Sequence, residues 1–210
     1  HEFKTPIATI STAIEAIENF NVLDDKEKTR KYLSMSSVQL KKLHQMVEKL
    51  LETATLDSEK LIPKKESVDL VDLIPKIVKK HQILTEKELS FSSNIQEKTK
   101  SVDVFHIENV ISNLVDNAIK YGGRQIELNI NSVLNYTIIT VADDGKGIEK
   151  NQQERIFDKF YRIPKGNRHD VKGFGIGLYY SKKIIEKHGG TIQLESNTGM
   201  TVFKINLPNE

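Results

Sequence analysis

The chain has 210 residues, enough for one large domain or two modest ones with a real core. Apolar residues make up 38% and charged residues 29% of it, the balance of an ordinary globular chain. A net charge of +2, from 31 basic and 29 acidic side chains, gives no electrostatic case for nucleic acid, and the lack of cysteine excludes disulfides and thiolate metal sites.

No stretch approaches the roughly 18 apolar residues that a membrane span needs, and no signal peptide is present. The chain opens on His1-Glu2-Phe3 without a methionine. That start reads as a fragment, with any membrane anchor in missing upstream sequence and a reducing cytoplasm as the fitting compartment. Phe3, Ile7, Ile10, Ile14 and Ile17 alternate steps of four and three, the seam of an amphipathic helix. Asn21 to Asp25 supplies turn and cap residues. A second seam runs through Leu33, Ser36, Leu40, Leu43, Val47, Leu50 and Ala54. Residues 1–57 therefore form a helical hairpin, which two helices alone cannot bury; a second copy would complete a four-helix bundle. A spacer without chemistry fits these seams equally well. Residues 58–66, with Pro63 in a lysine-rich stretch, read as a linker.

Residues 67–210 alternate helix and strand. Leu70–Glu88 is predicted helical, with Pro75 in its first turns or at a kink. Leu89–Ile95 alternates like a strand. Asp103 caps a long helix that runs to Tyr121 and stops at Gly122-Gly123. Gln125–Val133 and Tyr136–Ala142 form a hairpin that turns at Leu134-Asn135. Glu149–Phe160 is a short helix, Gly175–His188 another, and Thr191–Glu195 and Thr201–Leu207 are closing strands. The expected class is α+β: a helical hairpin followed by an α/β sandwich with helices on one face of a mixed sheet.

Two glycine clusters carry chemistry. Asp143-Asp144-Gly145-Lys146-Gly147 follows a strand, and Gly173-Phe174-Gly175-Ile176-Gly177 leads into a helix. Glycine admits a ligand close to the backbone, and a helix start offers free N–H groups to phosphate. A plain turn explains either cluster alone. Neither fits the dinucleotide fingerprint or the P-loop, and Arg168-His169-Asp170 is not a protein-kinase catalytic loop. Asn109, Asn113 and Asn117 recur every fourth residue on one face of the long helix. Amide oxygens there suit Mg²⁺ held together with phosphates, though a solvated polar face reads the same way.

Together these segments resemble the catalytic core of bacterial sensor histidine kinases. Asn113-Leu-Val-Asp-Asn117-Ala-Ile-Lys120-Tyr121 resembles the N box and Asp143-Asp-Gly145-Lys-Gly147 the first glycine box. Ile156-Phe157-Asp-Lys-Phe160-Tyr161-Arg162 resembles the F box, and Gly173-Phe-Gly175-Ile-Gly177-Leu178 the second glycine box. His1-Glu2-Phe-Lys-Thr5-Pro6 resembles the H box. Five motifs in the family's order span nearly the whole chain, and three of them also mark the wider group that includes gyrase, the Hsp90 chaperones and MutL.

The resemblance implies ATP and Mg²⁺. Asp143 would accept the adenine amino group, Asn117 would ligate Mg²⁺ with Asn113 nearby, Lys120 would meet phosphate, and Tyr121 would lie by the base or ribose. Gly145, Gly147, Gly173, Gly175, Gly177 and Leu178 would shape the phosphate contacts and a lid over residues 163–172. Arg162 would stabilise charge on the departing γ-phosphoryl group. ATPase relatives carry a glutamate, the water-activating base, where this chain has Asn113, and an amide is no base at neutral pH. His1 is then the nucleophile. Glu2 can orient its Nδ1 proton so that Nε2 attacks, and Pro6 bends the helix just beyond. Thr5, four residues on, would position water for a phosphatase reaction. Expected partners are a second copy of the chain and the receiver domain of a response regulator. A degenerate nucleotide-binding module and a gyrase-type ATPase are the rival readings. His44, His81, His106, His169 and His188 have no metal-ligand spacing and read as structural or surface residues. Phe174 is bulkier than the family's usual residue there, and Lys146 is left exposed without a role.

Overall fold

A computed structural model describes residues 3–19, 22–57, 62–163 and 175–209, backbone only over 49–57. Its contacts divide the chain into two units, His1–Thr55 and Leu56–Glu210. No helix among the described residues is long and apolar enough to cross a membrane.

The first unit is the hairpin expected from the two seams. Helix α1 spans Lys4–Asn19 and α2 spans Lys26–Asp57. Pro6 lies buried in the first turn of α1, where proline is tolerated; the bend expected just after His1 falls on residues outside those described. The described part of the corner holds a 3₁₀ turn, Val22–Asp24. Asp25 accepts the Lys28 N–H at 3.0 Å, and the Thr29 hydroxyl donates to the Val22 carbonyl at 2.6 Å. Both seams are helical, yet much of their apolar surface is uncovered. Ala13, Val22 and Met46 are buried, whereas Leu33, Leu40 and Val47 are 58%, 63% and 46% exposed.

The second unit holds a five-stranded sheet in the order β2-β4-β5-β7-β6. The strands are β2 Glu88–Ser93, β4 Gln125–Val133, β5 Tyr136–Asp143, β6 Thr191–Asn197 and β7 Met200–Pro208. β2 pairs parallel with β4, and all other pairs are antiparallel. Strand alternation turns Ile126, Leu128, Ile130, Ile139, Val141, Phe203, Ile205 and Leu207 to one face. Helices α3 (Leu70–Gln82), α4 (Val104–Tyr121) and α6 (Gly177–Lys187) bury that face. α4 contributes Ile107, Val110, Ile111, Leu114 and Val115, each 1% exposed or less. At about 25 cal/mol per Å² of apolar area removed from water, this layer is the main source of the unit's stability. The helices-on-one-face sandwich expected from the sequence is present.

Several boundaries differ from expectation. α3 ends at Gln82 rather than Glu88, because the Gln82 side chain turns back to bond the Lys87 carbonyl (2.9 Å) and the Leu89 N–H (2.9 Å). Glu149–Phe160 is not one helix but α5, Lys150–Gln153, followed by a 3₁₀ turn, Arg155–Phe157. β1 (Glu66–Asp69) and β3 (Thr99–Val102) pair antiparallel as a separate ribbon not expected from the sequence pattern.

Candidate active site

Strand β5 delivers Asp143 to its end, opposite Ile126 of β4 and Thr201 of β7. The residue is 8% exposed, and its Oδ1 accepts the Gly145 N–H at 3.0 Å. Two glycines crowd it. A Cβ at Gly122 would stand 2.7 Å from the Asp143 Cβ, and one at Gly145 would stand 2.6 Å from Oδ1 and 2.8 Å from the Gly122 Cα. No other residue type lets α4 end this close to the strand. Burial pushes the Asp143 carboxyl above the usual carboxylate range; the Gly145 N–H and the charge of Lys87 pull it back, and Asp144 adds to the rise. An acceptor is thus held against bare backbone at the sheet's end.

α4 presents the amides. Asn113 and Asn117 flank its buried stripe and are themselves half-buried. The start of α6 approaches them: a Cβ on Gly177 would lie 3.5 Å from the Asn113 Oδ1. Lys120 and Tyr121, 41% and 43% exposed, occupy the last turn just before Gly122. Lys120 Nζ lies 3.6 Å from Asp116, which also faces His81 Nε2 at 3.6 Å. His81 is anchored by Nδ1 to the Ile77 carbonyl at 2.9 Å. Asp116 lies inside the N-box stretch, but its pairing with His81 joins α3 to α4 and has no local signal in the sequence.

The glycine loops are fastened from outside. Gly147 packs directly on the Asn197 carbonyl. The Ile148 N–H donates to Ser196 Oγ at 2.8 Å, and Gln153 Nε2 donates to the Ile148 and Ser196 carbonyls at 2.7 and 3.0 Å. Gly175 has φ +67°, left-handed backbone that favours glycine, and its carbonyl accepts the Phe160 N–H at 2.9 Å. The F-box segment and the second glycine segment are therefore joined. Arg162 is exposed beyond Tyr161, whose ring lies 4.4 Å under the Arg155 guanidinium. Leu178 packs against the core. Gly173, Phe174, His169 and most of the expected lid lie outside the described residues.

In the hairpin unit, His1 and Glu2 lie outside the described residues. Thr5 is exposed in the first turn of α1 and lines a shallow concavity of about 520 Å³ with Thr9, Thr12, Tyr32 and Met35. Among the described residues, no group of three or more His, Cys, Asp or Glu could hold a metal. His81 and His188 are buried with backbone partners, His106 Nδ1 meets the Tyr180 hydroxyl at 2.7 Å, and His44 lies 3.3 Å from Glu48.

A one-faced sandwich with an acidic residue at the end of a central strand, an amide-bearing helix and two glycine loops defines an ATP-binding module. Residues 102–210 match the family described as histidine kinase-, DNA gyrase B- and HSP90-like ATPase, and residues 1–59 match the His Kinase A (phospho-acceptor) domain. The chain belongs to the histidine kinase family. It is 38% identical to the sensor protein RprX of Bacteroides fragilis across 99% of this chain and 42% of that protein. It is 33% identical to the sensor protein kinase WalK of Staphylococcus aureus across 100% of this chain and 35% of that protein. The chain thus spans less than half the length of these relatives. In fold it resembles the Acinetobacter baumannii histidine kinase AdeS (TM-score 0.73, 22% identity, 100% of this chain and 98% of that one). It also resembles histidine kinase ThkA, solved in complex with response regulator TrrA (TM-score 0.76, 24% identity, 100% and 59%).

Proposed function

We propose that the second unit binds ATP and that the γ-phosphoryl group passes to His1, and from there to an aspartate of a response regulator. Asp143 receives the adenine amino group; this buried acceptor, crowded by Gly122 and Gly145, is the observation that carries the reading. Asn113 and Asn117 face the phosphates with Gly177, while Gly145, Gly147, Gly173, Gly175 and Leu178 shape the cradle. Lys120 supplies positive charge, and Tyr121 lies along the base or ribose. The half-buried Asn113 and Asn117, with no metal-holding carboxylate cluster among the described residues, suit Mg²⁺ held mainly by phosphates, which Asn117 would ligate. When bound, the ion neutralises charge on the phosphate oxygens.

In the transfer, His1 Nε2 donates its lone pair to the γ-phosphorus and the bond to the β,γ-bridging oxygen breaks. ADP leaves with that electron pair. Glu2 orients the Nδ1 proton, and Arg162 balances charge on the moving group. Asn113 is an amide and cannot activate water, which favours imidazole over hydrolysis. Thr5 positions water for dephosphorylation of the receiver. The exposed seams of α1 and α2 support a dimeric four-helix bundle. The TrrA complex of ThkA supports a receiver domain as the acceptor.

Incubation with γ-labelled ATP and Mg²⁺ tests the scheme. Label should appear in an acid-labile, alkali-stable bond and vanish in His1→Gln and Asn117→Ala. Undiminished labelling of His1→Gln overturns it.

A further inference from the structure

Lys87 belongs to none of the motifs, yet it is built into the adenine end of the site. It sits in the turn between α3 and β2, one residue before the strand. Its Nζ donates to the carbonyls of Ala118 at 3.2 Å and Gly122 at 2.8 Å. The Ala118 carbonyl also accepts the Gly122 N–H at 2.9 Å, so Lys87 adds a second donor there and supplies one to the Gly122 carbonyl, at the end of α4 where the dipole favours a cation. The lysine is itself placed. Its N–H donates to Thr85 Oγ1 at 3.2 Å, and its carbonyl accepts Gln82 Nε2 at 2.9 Å. The Gly122 it holds is the residue whose Cα backs Asp143.

We propose that Lys87 is a positioning residue for adenine recognition: it clamps the end of α4 behind Asp143 and sets a positive charge beside that carboxylate. This rests on the reading that Asp143 receives adenine. Among the described residues the charged groups bearing on Asp143 are Lys87 and, on its own segment, Asp144. Its register neighbours Ile126 and Thr201, and the packed Gly122, do not ionise. Desolvation favours the protonated carboxyl, and the lysine charge opposes it. Without that charge the carboxyl would take a proton at a higher pH and stop serving as an anionic acceptor.

The test is calorimetric titration of ADP into the full 210-residue chain near neutral and mildly acidic pH. Lys87→Met should weaken binding about threefold near pH 8, and the loss should deepen as the pH falls, by at most about tenfold for each pKa unit that the lysine charge had held down. Lys87→Arg should restore most of the affinity at both. A purely structural lysine would give the same loss at both pH values. That result, or no loss at all, overturns the proposal, while lost binding in Asp143→Asn would keep the adenine reading intact. Unchanged binding in Asp143→Asn would overturn both. If circular dichroism shows Lys87→Met unfolded, Lys87→Gln, which keeps an N–H donor and drops the charge, carries the same comparison.

Discussion

Two aspartates open the two longest helices, in opposite settings. Asp25 precedes α2 in the hairpin, accepts the Lys28 N–H, and keeps its side chain 40% exposed beside the Lys28 ammonium. Asp103 precedes α4 in the sandwich and is 7% exposed. Its Oδ1 accepts the His106 N–H at 3.1 Å and its Oδ2 the Lys64 N–H at 2.8 Å, while its own N–H donates to His188 Nε2 at 2.9 Å. The local rule is the same: a carboxylate satisfies N–H groups at a helix start. In the hairpin the rule ends there. In the sandwich the same device ties the segment before β1, the start of α4 and the end of α6 into one buried knot. The helices of both units are specified locally, but the sandwich closes a core while the described hairpin residues leave Leu33, Leu40 and Val47 exposed.

The sharpest way to break this contrast is to delete the same bulk from each unit. Leu114 is fully buried in α4, so Leu114→Ala should cost about 2–5 kcal/mol of unfolding free energy, read by denaturant titration followed by circular dichroism. Leu40 is 63% exposed, so Leu40→Ala should leave the sandwich transition in place. Its effect should appear in sedimentation, as a weakening of the proposed dimer. A Leu40→Ala variant that lowered the sandwich transition as Leu114→Ala does would end the distinction.

Acid gives a smaller, directional probe of the knot. His188 is buried, and its Nδ1 lies 2.8 Å from the Ile184 carbonyl while Nε2 accepts the Asp103 N–H, an arrangement that only the neutral ring makes. Burial holds its pKa below the ordinary 6.5. The unfolded chain therefore takes up a proton that the folded unit refuses. This contribution to stability is complete above pH 6.5 and is lost as pH falls from there toward the depressed folded value. The slope cannot exceed about 1.4 kcal/mol per pH unit for one group. His188→Gln should flatten the stability curve of the sandwich below about pH 6.5. A slope unchanged by the substitution would remove His188 from the knot.

What the sequence made legible follows the same division between local and distant causes. α4 was readable end to end because Asp103 and Gly122 stand at its limits, and the β4–β5 hairpin because its alternation is strict. α3 looks longer in the sequence than it is because Ile83 and Leu84 continue its apolar rhythm, although they are 79% and 75% exposed. β1 and β3 have four residues each, mostly polar, and pair across a long stretch of chain, so no local pattern announces them. The site divides likewise. Asp143, its glycines and the amides of α4 came from motif residues. Lys87 and His81 act through partners on other elements, and a loop lysine carries no signature before the chain folds.

The smallest expected effect returns to Asp25. The Lys28 N–H, and then the Lys28 ammonium, hold its carboxyl below the ordinary 3.8. A depressed carboxylate contributes stability above its unfolded pKa and loses it as pH falls through the folded value. With the side chain in water, screening leaves only a local consequence. Asp25→Ala should speed amide exchange at Lys28 and Thr29, the first turn of α2, and leave the exchange of sandwich amides unchanged. Asp25→Asn keeps a capping oxygen without the charge, so it should retain most of the protection. Asp103→Ala, by contrast, should cost the sandwich about 1–2 kcal/mol, because it strips two N–H groups of their partner at once. Were Asp25→Ala to open the sandwich amides as Asp103→Ala does, the cap of α2 would be doing more than its surroundings allow, and the two units would share a stability that their separate cores do not explain.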